Sequence, residues 1–290
     1  MNSLGQGLRE KHKPFTSVGI VGLGLMGGSL ARGLKAGPHP PLIKALSLKS
    51  DEMAEARSSG VIDEGFVQVG SFFQGLDLVI YCTPLQATLT LLAQHREFLD
   101  EATLLTDVAS LKVPVLRKAR EMGLEKRLVG SHPMAGGEQE GFPASRDGLY
   151  EGARVWIVGG EAPAERVARI MEFWRTLGAL PEALLGEEHD VLMAWISHLP
   201  QLTSNALAEA LRNSGYGRDS LGPGGRDMTR LAGSNPEMWT DLFTNAPDAL
   251  SEALEAVEGA LSSLRAHLVA GEWDKLAETM DATRAWSTKE

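Results

Sequence analysis

The stretch Ser17-Val-Gly-Ile-Val-Gly-Leu-Gly-Leu-Met-Gly-Gly-Ser-Leu30 decides the fold. A β-branched run, Val18 to Val21, is followed at once by glycines at 22, 24 and 27, then by Ser29, Leu30, Ala31 and Leu34, which can continue as helix. The order is strand, tight turn, helix. Gly22 permits the turn, Gly24 lets a pyrophosphate approach the backbone, and Gly27 lets the helix pack closely on the strand, with the helix N-terminus aimed at the anion. Leu25 and Met26 complete the candidate cofactor-binding loop. A glycine-rich loop can be a turn and nothing more. Its place between a buried strand and a helix, near the start of an alternating chain, favours a dinucleotide.

The alternation continues outward from this loop. Expected strands are Ile43 to Leu48, Leu76 to Cys82, Ala102 to Val108, a short one at Arg127 to Gly130, and Arg154 to Val158. Expected helices are Asp51 to Ser59, Gln86 to Leu99, Val113 to Met122 and Ala164 to Leu177. Such a pattern predicts a doubly wound parallel sheet, a Rossmann-like α/β domain over residues 15–180. The remainder, 181–290, has helical periodicity and predicts an all-α domain. Glu187 to Asn213 reads as one long helix interrupted by Pro200, which lacks an N–H and frees the carbonyl of Ile196. Leu250, Leu254, Val257, Leu261, Leu264 and Leu268 alternate steps of four and three, the seam of a helix packed on another helix. That seam fits an internal bundle and a subunit contact equally well.

Composition narrows the function classes. The 290 residues carry a net charge of −10, which disfavours a nucleic-acid partner because phosphates would be repelled. Cys82 is the sole cysteine, so no intrachain disulfide can form, and a cytoplasmic home is expected. It follows a strand-like run and reads as an inert thiol. No apolar run reaches the roughly 20 residues of a membrane span, and the polar stretch 1–14 reads as a loose tail without a signal-peptide core. The expected partner is a small-molecule substrate.

In a doubly wound sheet the ligand lies beyond the carboxyl ends of the strands. Three places qualify: Thr83-Pro84, Asp107 to Lys112, and Ser131-His-Pro-Met-Ala-Gly-Gly137. On strand order Ser110 and His132 could face one crevice beside the nicotinamide, with His132 as base. The helical half offers His189, His198, Arg226 and Arg230. On a regular helix positions 189 and 198 lie on opposite sides, and His198, beside Pro200, is the better candidate. Arg226 and Arg230, one helical turn apart, could share a face suited to a carboxylate.

On these motifs the chain resembles the prephenate/arogenate dehydrogenase family of tyrosine biosynthesis. The resemblance runs from about Val18 to about Asp241. It rests on the glycine loop, Thr-Asp-Val-Ala-Ser-Leu-Lys at 106–112, Ser-His-Pro-Met-Ala-Gly-Gly-Glu at 131–138, His-Asp at 189–190, Ser-His-Leu-Pro-Gln at 197–201, Arg-Asp-Met-Thr-Arg-Leu-Ala at 226–232 and Asn-Pro-Glu-Met-Trp at 235–239. It implies a dinucleotide domain followed by a helical domain through which a homodimer forms. It places the catalytic histidine at His132, the active-site serine at Ser110, a substrate-side histidine at His198 and a carboxylate-binding arginine at Arg230, and it implies oxidative decarboxylation of a cyclohexadienol. Whether the side chain is pyruvyl, as in prephenate, or alanyl, as in arogenate, stays open. β-Hydroxyacid dehydrogenases share the loop type but use an Asn-Lys pair that the corresponding helix lacks.

The cofactor is read from the end of the second strand, where NAD-dependent folds place an acidic residue for the ribose hydroxyls. Here Ser47-Leu-Lys-Ser50 stands in that place. Ser47 and Ser50 can donate to a 2′-phosphate and Lys49 can supply the opposing charge, which favours NADP over NAD. The alternative has Lys49 in solvent and Asp51 in the acidic role.

Overall fold

The computed structural model describes residues 14–137, 139–246 and 248–288, so the expected tail lies, but for Pro14, outside the described residues. The described chain divides into two compact units. One runs through Asp190 and includes Ser234–Ala246; the other comprises Val191–Gly233 and the segment from 248 onward.

The first unit is built on five parallel strands, β1 (Ser17–Val21), β2 (Leu42–Leu46), β3 (Glu64–Phe66), β4 (Leu78–Tyr81) and β5 (Leu104–Asp107), in the order β3-β2-β1-β4-β5. Between them run α1 (Leu25–Ala36), α2 (Ser50–Ser58) and α3 (Leu85–His95). Successive strand residues face opposite sides: Leu78 and Ile80 enter one apolar cluster, Val79 and Tyr81 the other. Both faces are buried, which accounts for the near-continuous apolar strands. The chain leaves β1 toward β2 and returns to its other side at β4, so the switch point of the sheet lies at the carboxyl ends of β1 and β4.

The single parallel sheet expected over the whole half is corrected here. After α4 (Val113–Glu121), a separate three-stranded sheet forms from β6 (Gly130–Pro133), β7 (Arg154–Val158) and β8 (Leu180–Ala183), with β6 antiparallel to β7. The short strand expected at Arg127 to Gly130 is displaced onto Gly-Ser-His-Pro. Residues 124–128 form turns instead, with Arg127 N–H on the Leu124 carbonyl and one bridge from Leu128 to Leu105. Pairing with β7 overrides the poor strand propensity of β6. Strands β3 and β8 had no sequence signal: both are short and border their sheets, and β8 contains Pro181, which an edge tolerates. Helix α5 (Ala164–Thr176) sends Trp174 into the core.

Pro200 does not interrupt the next helix. Helix α6 (Gly186–Met193) passes into a π-helical turn, Ala194–His198, and then into α7 (Leu199–Asn213). The wider turn accommodates the proline ring and the carbonyl it orphans without a break. The second unit continues with α8 (Pro223–Met228), a 3-10 turn at Arg230–Gly233, and the pair α10 (Ala249–Ala270) and α11 (Trp273–Ser287). Between them, α9 (Pro236–Phe243) belongs to the first unit, where Leu242, Trp239 and Phe243 join one apolar cluster. In α10 only Leu250 and Ala253 are buried; Leu261 and Leu268 are exposed.

Candidate active site

The carboxyl edge of the parallel sheet collects the loop after β1, Thr83-Pro84 after β4 and Ser110 after β5. Gly22 has φ of 93°, and a Cβ there would lie 2.6 Å from the Cys82 carbonyl oxygen; a Cβ on Gly27 would collide with the Gly22 carbonyl. Gly24 is different, because no atom lies within 4 Å of where its Cβ would be. The first turn of α1, beginning at Leu25 and Met26, has no acidic residue and no side-chain cap. Open space over a glycine beside an uncapped helix N-terminus fits a dinucleotide pyrophosphate. Tyr150 steadies the loop, its hydroxyl donating to the Met26 carbonyl at 2.8 Å. Thr83 pairs with Thr88 at 2.8 Å, and Pro84 precedes the first residue of α3. Burial and the Asp107 carboxylate push the Cys82 thiol well above its ordinary pKa, so it stays protonated.

The second cluster grows from β6. Side chains alternate along a strand, so Ser131 and His132 point to opposite sides. Ser131 is anchored inward: its hydroxyl lies 2.8 Å from Thr106 Oγ1 and accepts from Trp174 Nε1 at 2.9 Å. His132, 9% exposed, places Nδ1 3.0 Å from Nε2 of His189. His189 Nδ1 is 2.7 Å from Oδ1 of Asp190. Asp190 also receives the backbone N–H groups of Lys112 at 2.8 Å and Val113 at 2.9 Å, at the start of α4.

These bonds fix a direction. Both Asp190 oxygens are acceptors, so the proton of the His189 bond sits on His189 Nδ1, and the neutral form of His189 accepts at Nε2. His132 then donates from Nδ1, and its Nε2 carries a lone pair. The tautomer is assigned from the network. A buried imidazole held this way can take a proton at one defined atom.

Beneath the relay lies a buried ion pair. Lys112 and Asp107 are both inaccessible to solvent and bonded to each other, and Lys112 Nζ also donates to the Ser131 carbonyl at 2.7 Å. Asp107 accepts from Ala109 N–H at 2.9 Å and Ser131 N–H at 3.3 Å. Burial lowers the Lys112 pKa, and the Asp107 carboxylate opposes that shift. The pair therefore ties the bend carrying half-buried Ser110 to the strand carrying His132.

The second unit holds the other two expected residues. His198 is buried at the end of the π turn, and Arg230 is exposed at the start of its 3-10 turn. Helix α7 pins that turn: Gln201 Nε2 donates to the Leu231 carbonyl at 2.7 Å, and Ser204 Oγ both donates to the Met228 carbonyl and accepts from Ala232 N–H. The shared helical face expected of Arg226 and Arg230 is corrected, since α8 ends at Met228 and Arg230 starts a separate turn.

At the end of β2, half-buried Ser47 donates its N–H to the Phe66 carbonyl at 3.0 Å. Ser50 Oγ lies 3.4 Å from Asp51 Oδ1, and the Lys49 ammonium is 2.9 Å from Glu52 Oε1. Lys49 is the more exposed partner, 64% against 19%.

In the sequence a regular helix sets His189 and His198 on opposite sides, and Pro200 favours His198; the π turn removes the regular-helix premise. The usable signal was the adjacent His-Asp pair at 189–190. Asp190 and the Lys112–Asp107 pair carry no role in the sequence because what they anchor lies far along the chain: Asp190 receives the N–H groups of Lys112 and Val113, 78 and 77 residues away, and the pair bonds to Ser131, 19 to 24 residues on.

Comparison with known proteins bears on this arrangement. Residues 30–181 match the model of the prephenate dehydrogenase nucleotide-binding domain, and residues 186–282 that of the prephenate dehydrogenase dimerization domain. A cyclohexadienyl dehydrogenase of Zymomonas mobilis is 30% identical over 273 residues, covering 91% of this chain and 92% of that protein. The prephenate dehydrogenase of Bacillus subtilis is 29% identical over 250 residues, 81% of this chain and 66% of that longer protein. The crystal structure of prephenate dehydrogenase from Aquifex aeolicus in complex with hydroxyphenyl propionate and NAD+ superimposes with a TM-score of 0.88 at 28% identity, covering 96% of this chain and 99% of that one.

Proposed function

This chain belongs to the prephenate dehydrogenase family, and on that premise we propose that it oxidises and decarboxylates prephenate to 4-hydroxyphenylpyruvate with a nicotinamide dinucleotide, within tyrosine biosynthesis. The observation that carries the reading is the Asp190–His189–His132 relay, which leaves His132 Nε2 as a proton acceptor. His132 takes the proton of the ring hydroxyl through that atom. A nicotinamide dinucleotide held at the β1–α1 loop would supply the acceptor for the hydride that leaves the same ring carbon. The resulting ring ketone draws, through the conjugated ring, the electrons of the bond to the carboxylate on the opposite ring carbon, carbon dioxide departs, and His132 returns its proton to the ring oxygen of the aromatic product. Ser110 orients the hydroxyl. Arg230 binds a substrate carboxylate and His198 lies on the substrate side, roles that rest on the motifs they occupy.

The dinucleotide is held by Gly22, Gly24, Leu25, Met26, Gly27, Thr83 and Pro84, with Ser47, Lys49 and Ser50 around the adenosine ribose. The absence of a carboxylate from Ser47 to Ser50 and the exposed ammonium of Lys49 support NADP as the preferred form. The chain divides into a dinucleotide domain at 15–180 and a helical domain at 181–290. It works as a cytoplasmic homodimer, a reading supported by the exposed Leu261 and Leu268 of α10, the lone cysteine, and the lack of any helix among the described residues long and apolar enough to cross a membrane. The net charge of −10 supports a small molecule over a nucleic acid as its ligand.

Initial rates with prephenate and arogenate, each with NADP+ and NAD+, test the proposal. The highest kcat/KM is expected for prephenate with NADP+. A preference for arogenate would reassign the substrate, and turnover of neither would overturn the activity.

A further inference from the structure

Glu52 stands in the first turn of α2, and both of its oxygens are engaged. Oε1 is 2.9 Å from Lys49 Nζ, and Oε2 accepts the backbone N–H of Phe142 at 2.9 Å. The loop residue Gly141, with φ of 83°, approaches so closely that a Cβ there would lie 2.9 Å from Glu52 Oε1. Phe142 is itself fully buried against Gly28 of α1, with the Arg32 guanidinium 5.1 Å from its ring centre. Glu52 is thus a fixed carboxylate, and Lys49, the exposed partner, is the one able to move. Hydrogen bonds from Lys49 and Phe142 hold the Glu52 carboxyl below its ordinary pKa despite burial, so it is charged at neutral pH. Glu140 adds a further negative charge acting on Lys49.

We propose that Glu52 is a specificity-determining residue for the cofactor, a fixed negative charge that competes with the ribose 2′-phosphate of NADP for Lys49 and leaves NAD unaffected. This rests on the reading that the Ser47 to Ser50 turn faces the adenosine ribose. A 2′-phosphate carries nearly two negative charges at neutral pH and must share Lys49 with a carboxylate that Phe142 prevents from withdrawing. A 2′-hydroxyl has no such conflict. The acidic group that discriminates against NADP at the tip of β2 in NAD-dependent folds is here moved into the helix and partly masked by a lysine.

Calorimetric titration of the full chain with NADP+ and NAD+, without substrate, separates the possibilities. Glu52→Gln keeps an oxygen for the Phe142 N–H and is expected to tighten NADP+ by about tenfold while NAD+ changes by less than about twofold. Glu52→Ala should shift NADP+ in the same direction, which guards against an effect peculiar to the amide. Lys49→Gln should weaken NADP+ by about tenfold. If Lys49→Gln weakens NADP+ but neither Glu52 variant tightens it, the competition is overturned and the ribose placement stands. If Lys49→Gln leaves NADP+ unchanged, the ribose placement fails, and this inference with it.

Discussion

The β1–α1 loop and strand β6 are the two candidate functional surfaces of the first unit, built by opposite means. The loop works by lacking side chains: Gly24 leaves open space and α1 presents bare N–H groups. Strand β6 works through side chains that hold one another, from Asp190 through His189 to His132, over the buried Lys112–Asp107 pair. The loop should therefore govern affinity for the dinucleotide with little effect on the chemical step, and the β6 network should govern the step with little effect on that affinity.

The largest effect is expected at His132. His132→Asn keeps a polar group but removes the titrating one, so kcat should fall by a factor on the order of 10² to 10⁴. Dinucleotide affinity should be unchanged, and a parallel loss of it would erase the contrast between the two regions. Next in size is the support beneath the strand. Lys112→Met strands a buried carboxylate at Asp107 and should cost about 3 to 5 kcal/mol of stability in urea unfolding. Adding Asp107→Asn should recover much of that loss, since the burden is the unpaired charge.

A histidine at the end of α3, packed on Tyr81 of the parallel sheet, sharpens the contrast. His95 is buried between Tyr81 and Phe73 with no carboxylate partner among the described residues, and burial pulls its pKa from 6.5 down to about 4. The unfolded chain then binds the proton more readily than the folded one, so stability is full above about pH 6.5 and declines as pH falls toward 4. The loss should reach about 2 to 3 kcal/mol across that window, and His95→Phe should flatten the slope in thermal melts taken between those limits. The smallest of these effects belongs to the loop. Gly24→Val places a side chain where no atom lies within 4 Å, so melting should be unchanged while the dissociation constant for the dinucleotide rises by about tenfold or more.

The same contrast explains what could be read from the sequence. The loop and the apolar strands β1, β4 and β5 are local patterns, and they stand within a residue or two of where periodicity put them. Strand β6 was shifted because Gly, Ser, His and Pro lack strand propensity and are held by β7, some two dozen residues later. The bond from His189 to His132 crosses 57 residues, and no spacing rule reaches it. The π turn compounded the difficulty, because a regular helix was the ruler used to compare His189 with His198. Trp239, grouped with the helical half by its position in the chain, packs with the first unit because Ser234–Ala246 returns to it.

The central claim is that His189, held by Asp190, keeps the proton of neutral His132 on Nδ1, so that Nε2 carries the lone pair that acts as base. Long-range proton–nitrogen correlation NMR of the imidazoles, recorded on the full chain and on His189→Phe, reads that tautomer directly. The account predicts a protonated Nδ1 and a bare Nε2 for His132 in the parent, and a shift toward the Nε2–H form in His189→Phe accompanied by a lower kcat at unchanged dinucleotide affinity. A parent in which neutral His132 carries its proton on Nε2 would contradict it.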